Sequence, residues 1–515
     1  VKVTLSAERL DASASALAES VGAHFASRLW AADSTLWGPA AEPEASIRLG
    51  WVSSPERWRP LVGELETLRR ELQSLGMTRV ILCGMGGSSL APEVMAQSAD
   101  ADVHIVDSTH PDELAPLVDR DLSQCVVVVS SKSGGTLETD SQRRVFEQAL
   151  RDQGLDPRER MVIVTDPDSP LHQQAQEAGY RVFLGDATIG GRFSALSPFG
   201  LVPAALAGID IDTLLTEATS AHDALCRDEL NNPGLMLGAA LAASHPERNK
   251  ILLGSFPGLP GLGDWIEQLV AESTGKEGRG LLPVVDSHLR GSADGLVVSG
   301  EPEHSDIAVE ATLGEHFLLW EFATAFACQL IGVNPFDQPN VESAKIAAKA
   351  LLDDPPTAPR EEREIAGVSV WSNQALPETV NDLAGLVRQW KRLLGARSYG
   401  ALCIFGERSL SARWGAVREA LEADLQRPIT LGFGPRFLHS TGQLHKGGPA
   451  EGVFLQIIQT PSAELTISGR DFTLGTLVLA QAHGDARVLA GAHMPVMSIT
   501  ATRDQLEALW EALRA

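Results

Sequence analysis

Two stretches rich in glycine and hydroxyl side chains carry the first chemical signal. Gly84-Met85-Gly86-Gly87-Ser88-Ser89 follows the apolar run Val80 to Cys83 and precedes a helical pattern opening near Leu90. Glycines let backbone N–H groups come close to an anion, and a helix N-terminus adds free donors and the positive end of a dipole. A dinucleotide site competes for this stretch, because Asp107 lies near the distance at which a ribose-binding acid is needed. Ser89 in place of the third glycine weakens that reading, and a plain tight strand-to-helix turn also fits the stretch taken alone. The second stretch is Ser130-Ser131-Lys132-Ser133-Gly134-Gly135-Thr136-Leu137-Glu138-Thr139, again directly after an apolar strand pattern. Hydroxyls and amides there can donate to phosphate oxygens while Lys132 adds charge, although some of the hydroxyls suit helix N-caps equally well. The GK[ST] ending of a nucleoside-triphosphate loop is absent. Two such cradles at strand ends of one sheet point to a single phosphorylated ligand at its carboxyl edge.

The wording of these loops is also familiar. Gly86-Gly87-Ser88-Ser89-Leu90 and Ser131-Lys132-Ser133-Gly134-Gly135-Thr136 resemble the sugar-phosphate motifs of a sugar isomerase (SIS) domain. With Gly190-Gly191-Arg192-Phe193-Ser194, Ala271-Glu272-Ser273-Thr274-Gly275-Lys276 and Gly332-Val333-Asn334-Pro335-Phe336-Asp337-Gln338 through Lys345, five motifs stand in the order of the glucose-6-phosphate isomerase family. The resemblance implies an aldose–ketose isomerase that interconverts glucose 6-phosphate and fructose 6-phosphate through an enediolate. It leaves open a dual phosphomannose/phosphoglucose isomerase, and a non-catalytic sugar-phosphate-binding regulator that would keep the cradle without acid and base residues.

The resemblance assigns roles that the chemistry can use. Moving a proton between C1 and C2 needs one carboxylate base, and Glu272 matches it. Its neighbours Ser273 to Lys276 are expected to break the helix and aim the side chain inward. Arg192 matches the guanidinium that stabilises the enediolate. Lys345, seven residues after Gln338, matches the ring-opening lysine, with a helix starting after Pro339. Ser88, Ser131, Ser133 and Thr136 match the phosphate ligands, with Gly87 and Lys132 beside them.

The ring-opening histidine is where the chain departs from the family. It normally lies between the base and the FDQ segment, yet His288, His304 and His316 in that interval have no family-like context. The nearest match, Leu438-His439-Ser440-Thr441-Gly442-Gln443-Leu444-His445-Lys446, comes after it. His439 is therefore the first candidate, with His445 and His316 as alternatives. The displaced order resembles the isomerase portion of a fused transaldolase/glucose-6-phosphate isomerase polypeptide. By the same resemblance a homodimer is an expected assembly, and the enlarged C-terminal half is expected to fold its histidine loop back within its own chain. No metal and no cofactor are expected, since no acidic or cysteine partner accompanies the two histidines.

Positioning these residues requires a particular scaffold. Short β-branched runs at Val80 to Cys83, Val103 to Val106, Cys125 to Val129 and Met161 to Val164 alternate with helical stretches such as Thr136 to Arg151. The expected fold class is α/β, three-layer doubly wound parallel sheets in tandem SIS-like domains. Residues 1–75 read as a tryptophan-rich helical segment, 76–215 and 216–352 as the two SIS-like domains, and 365–515 as an additional α/β block. A strand is expected at Asn249 to Leu253 and a helix at Asp306 to Ile331, and the run Asp353 to Pro359 reads as a linker. Trp265 and Trp414, each placed after a strand, and the echo of Thr312-Leu313-Gly314 in Thr473-Leu474-Gly475 fit a degenerate duplication of the second block. An unrelated third layer fits them equally.

Composition narrows the partners. With 42 Lys+Arg against 67 Asp+Glu among 515 residues, the formal charge is −25, which disfavours nucleic acid and anionic membrane surfaces. Five scattered cysteines without a CxxC encode neither a disulfide framework nor a zinc knuckle and suit a reducing, cytoplasmic setting. The Val1 start is compatible with processing or with a longer polypeptide.

Overall fold

The computed structural model describes residues 1–340, 346 and 362–515. Lys345 and the linker expected at Asp353 to Pro359 lie outside them.

The chain opens with a short strand, β1 (Lys2–Leu5), where the sequence pattern suggested only helix. The first sheet follows: β2 (Arg79–Gly84), β3 (Val103–Val106), β4 (Cys125–Ser130), β5 (Met161–Thr165) and β6 (Arg181–Leu184), in the order β3-β2-β4-β5-β6 and parallel throughout. Its strands are uninterrupted β-branched runs because helices cover both faces; β4 is buried along its whole length. In the β2–β4 register Gly84 lies opposite Ser130. The two loops read as phosphate cradles therefore leave neighbouring strands side by side.

The second sheet contains β7 (Lys250–Leu253), β8 (Leu282–Val284), β9 (Gly295–Ser299) and β10 (Ile307–Glu310), in the order β1-β10-β9-β7-β8. Here β1 pairs antiparallel with β10, and Lys2 Nζ meets Glu310 Oε1 at 2.8 Å across the pair. An edge that would stand open is closed by a distant segment, which local periodicity does not reveal. The expected helix from Asp306 begins only at Leu313, since Ile307 to Glu310 is spent on β10. It runs Leu313–Ile331, starts at a capping box of Thr312 and Glu315, and ends at Gly332 with φ +80°. Buried on nearly every side, it is a central core helix.

The N-terminal tryptophans pack against this helix and the site below it. Trp51 stacks on Phe193 with ring centroids 5.3 Å apart, and Phe193 and Trp37 flank Phe336 at 5.5 and 5.0 Å. These contacts hold the neighbours Arg192 and Asp337 from behind.

The C-terminal block has β11 (Arg363–Ile365), β12 (Val368–Ser372), β13 (Tyr399–Phe405), β14 (Ile429–Phe433), β15 (Gly452–Gln459) and β16 (Val496–Ala501), ordered β11-β12-β16-β15-β13-β14. β13 and β7 each occupy an inner position between two parallel neighbours, and each is followed by a helix carrying a buried tryptophan, Trp414 or Trp265. β12 pairs antiparallel with β16 much as β1 pairs with β10. The Thr-Leu-Gly stretches open helices that follow β10 and β15, which stand at different places in the two sheets. The fold class is α/β, with antiparallel strands at the edges of the second and third sheets. Among the described residues no helix is long and apolar enough to cross a membrane.

The C-terminal block shares a core with the rest of the chain. Leu252, Ala271 and Val284 of the second domain pack into one cluster with Ala401, Phe437 and Leu444. Leu474 and Leu477 join the cluster beneath β4. Between these apolar contacts lies a buried charge cluster. Asp107, wholly out of solvent, accepts Arg408 Nη1 at 3.0 Å and Arg436 Nη1 at 2.5 Å, and both arginines also bind Glu93.

Breaking a buried pair leaves an uncompensated charge, so Asp107→Asn is expected to cost about 3–5 kcal/mol. Arg388→Ala, which removes an exposed pair with Asp382, should cost less than about 1 kcal/mol. Denaturant titration of both variants checks this; equal midpoints would mean that the cluster does not dock the block.

Candidate active site

The carboxyl ends of β2 and β4 open on a crevice of about 330 Å³, lined by Gly87, Ser88, Ser131, Lys132, Ser133, Thr136 and Gln338. Gly87 has no room for a side chain, because a Cβ there would stand 2.0 Å from Gly191 O. Backbone contact thus brings the first cradle against the Gly190–Arg192 turn. Thr136 is the N-cap of helix Leu137–Asp152 but makes no capping bond with its side chain, so its hydroxyl stays with the crevice and meets Ser131 Oγ at 3.5 Å.

Lys132 is engaged from behind. Its Nζ donates to Asp166 Oδ2 at 2.6 Å and to Asp186 O at 2.8 Å. Burial pulls the lysine down from its ordinary pKa and pushes Asp166 up. A second cation, Arg48, which no motif singled out, also lines the crevice. It is held by Glu44 at 2.7 Å and by Ala187 O at 2.7 Å.

Arg192 and Glu272 are buried behind the crevice, Arg192 directly after the lining residue Gly191. Arg192 donates from Nε to Ser273 Oγ at 2.7 Å and from Nη2 to Pro335 O and, at 3.3 Å, to Asp337 O. Its Nη1 lies 3.9 Å from Glu272 Oε2. Burial lowers the Arg192 pKa, and the Glu272 charge partly offsets this. Glu272 sits in the last turn of helix Leu262–Thr274, which ends at its C-cap Gly275 within the Ser273 to Lys276 stretch, as expected. The side chain points inward because that whole face of the helix is buried. One turn earlier, Gln268 Nε2 donates to Glu272 Oε2 at 3.2 Å and to His439 O at 2.9 Å. Lys276 Nζ binds Asn334 O and, at 2.6 Å, Asp337 Oδ1. Burial, with Arg192 close by, brings its pKa down to about 8.

His439 ends the turn Arg436–His439, and its Nε2 meets Glu138 Oε1 at 2.9 Å. The loop is thus folded back onto Glu138 and Gln268 of its own chain. The Gln443 side chain ties the same loop to Gly275 O at 2.9 Å and to Asn340 Oδ1 at 2.8 Å. The two alternative histidines do not reach the site. His445 is a core residue stacked on Tyr399, with Phe454 5.0 Å away, and burial pushes its pKa down to about 3. His316 packs on Phe256 and is likewise brought to about 3 by burial. It stands near the start of helix Leu313–Ile331, about 22 Å along the axis from the end that approaches Arg192.

The structure thus brings together the loops that the sequence singled out, and adds Arg48, Gln268 and Glu138, which it had not. Glu138 stood within the second cradle stretch, and Gln268 stands four residues before Glu272, a spacing that puts both on one helix face. Asp107, which a bound dinucleotide would need for its ribose, is taken up instead by Arg408 and Arg436.

No protein-family model matches the chain. It is 30% identical over 339 residues to a probable glucose-6-phosphate isomerase of Haloarcula marismortui, a match that takes in 53% of this chain and 78% of that protein. A probable glucose-6-phosphate isomerase of Haloquadratum walsbyi is 29% identical over 345 residues, 54% of this chain and 80% of that one. The solved structure of a glucose-6-phosphate isomerase from Chlamydia trachomatis shares the fold over 64% of this chain and 78% of its own, with a TM-score of 0.50 at 21% identity. With the hydroxyl cradle, the buried Arg192–Glu272 pair and His439 gathered at one sheet edge, these likenesses carry one conclusion: the chain belongs to the glucose-6-phosphate isomerase family.

Proposed function

We propose that the protein interconverts glucose 6-phosphate and fructose 6-phosphate with Glu272 as the base. The observation that carries the reading is the placement of Arg192 Nη1 3.9 Å from Glu272 Oε2, both buried beside a hydroxyl-lined crevice. Ser88, Ser131, Ser133 and Thr136 hold the phosphate. His439, paired with Glu138, exchanges the proton of the ring oxygen as the sugar opens. The Glu272 carboxylate then takes the proton from C2 of the aldose, and the electron pair of that C–H bond forms the C1–C2 double bond of an enediolate. Arg192 stabilises the anion, the hydroxyl proton passes from O2 to O1, and Glu272 returns its proton to C1 as the C2 carbonyl forms, giving the ketose. A regulator would need the cradle alone, whereas here the acid, base and guanidinium groups adjoin it. The displaced His439 motif supports placing the chain in a polypeptide fused to a transaldolase. Mannose 6-phosphate differs from glucose 6-phosphate only in configuration at C2, so an assay starting from fructose 6-phosphate should read both products.

Glu272→Gln keeps the shape and the Gln268 contact but cannot take a proton. It should lower kcat by at least about a hundredfold while fructose 6-phosphate still binds by calorimetry; near-normal turnover would remove Glu272 from the mechanism.

Ser131→Ala and Thr136→Ala each delete one donor to a charged oxygen, so KM should rise about tenfold with a smaller change in kcat. Unaltered KM values would mean that the phosphate sits elsewhere.

Lys276 supplies a pH dependence. With its folded pKa near 8 against an ordinary 10.5, the folded chain releases this proton first, so this group's contribution to stability rises between those pH values. Activity should move the other way, because an uncharged lysine no longer holds Asp337 beside Arg192. The expected result is a kcat/KM that falls above about pH 8 and a limb displaced to higher pH in Lys276→Arg, whose guanidinium stays charged. Superimposable limbs would place the alkaline limit on another group.

A further inference from the structure

Helix Leu474–Gly491 of the C-terminal block reaches the site through two side chains one turn apart. Gln481 Nε2 donates to Glu138 Oε1 at 2.8 Å, the same oxygen that meets His439 Nε2 at 2.9 Å. The Gln481 carboxamide is itself held in one orientation. Thr109 Oγ1 donates to its Oε1 at 2.7 Å, so the amide nitrogen has to face the carboxylate. Thr109, Gln481 and Glu138 are all buried, where hydrogen bonds are electrostatically stronger than in water and successive bonds polarise one another. Four residues along the helix, Asp485 takes the Lys446 ammonium at 2.7 Å, with both side chains out of solvent. Lys446 follows His439 by seven residues, so the helix holds the histidine loop directly through Asp485 and, through Gln481, the Glu138 carboxylate that meets His439.

We propose that Gln481 is a positioning residue for the isomerisation. It fixes the Glu138 carboxylate, which in turn holds the His439 imidazole in one orientation, with the proton on Nε2 shared with the carboxylate. Gln481 touches neither the crevice nor the base Glu272; its effect passes through Glu138 alone. The inference rests on His439 as the residue that opens the sugar ring. Losing Gln481 therefore slows the ring-opening step and leaves proton transfer between C1 and C2 intact.

The test compares fructose 6-phosphate with 5-deoxyfructose 6-phosphate, which lacks the hydroxyl that closes the furanose ring and is always open. Gln481→Met keeps the length of the side chain without its donor and acceptor, and Thr109→Val removes the bond that orients it. Loss of one hydrogen bond to a charged group should lower kcat for fructose 6-phosphate about tenfold in Gln481→Met. Its KM, and its turnover of the open analogue, should stay within about twofold of the wild type, and Thr109→Val should give the same pattern more weakly. Equal losses on the two substrates, or no loss on either, overturn the inference if His439→Ala is impaired on fructose 6-phosphate alone. A His439→Ala chain that treats both substrates alike removes the ring-opening role of His439 itself, and the role of Gln481 with it.

Discussion

A carboxylate with no access to water has to be matched by cations, and Asp107 imposes that requirement on the whole molecule. Burial pushes its pKa up, but Arg436 and Arg408 outweigh this and hold the carboxyl below its ordinary range. Both arginines come from the C-terminal block, so the first sheet keeps its charge balanced only when that block is docked. Arg436 also opens the turn that ends at His439. One ion pair therefore joins the docking of the C-terminal block to the placement of the side chain that meets Glu138. The third cation-binding acid of the cluster, Asp264, stands at the head of the helix that carries Glu272 and meets Arg436 Nη2 at 3.3 Å.

The crevice itself follows the same physics on a smaller scale. Arg192, Lys276 and Lys132 are all desolvated, and each has its hydrogen bonds occupied by fixed acceptors: Ser273 and Pro335 O, Asp337, and Asp166. Those partners set the positions of the cations before any substrate arrives. A sugar phosphate brings a negative charge, and an enediolate brings another during the reaction. Groups that need not reorganise at that moment are the ones that stabilise such charge best. The aromatic contacts of Trp51, Phe193 and Phe336 serve this end, since they immobilise the backbone on either side of the Arg192 bonds.

What the sequence disclosed was local in origin. Val80 to Cys83 and Cys125 to Val129 are legible as buried strands because β-branched residues crowd a short run, and the glycines that follow mark where the chain must turn. The lone strand Lys2–Leu5 is not legible in this way, since its partner is more than 300 residues away and its four residues carry no period of their own. His439 and His445 make the same point within one loop. They are the same residue type six positions apart, and only the packing of Tyr399 and Phe454 makes one a neutral core ring while Glu138 keeps the other beside the crevice. Glu272 stands out by its motif, and the helix does end two residues after it, but its inward direction comes from burial of that helix face. The role of Glu138 is not legible locally, because His439 and Gln481, which it meets, lie more than 300 residues further on.

The unusual order of the motifs has a physical reading. His439 comes about 100 residues after Gln338, on a block reached through a connecting segment, yet Gln338 lines the crevice and His439 meets Glu138, the neighbour of the lining residue Thr139. Closing a long connection costs only a slowly growing entropy, about 0.6 kcal/mol for each doubling of its length. Where a residue falls in the sequence therefore matters little to where it can act. What matters is the surface that receives it, and here that surface is extensive: Leu252, Ala271 and Val284 share a core with Phe437 and Leu444, two residues before and five after His439 in sequence. Gly275 leaves no space between the two, since a Cβ on it would stand 2.4 Å from Leu444 Cα. The histidine is thus positioned by the same packing that holds the C-terminal block against the second sheet, so a change that loosens that interface also displaces His439.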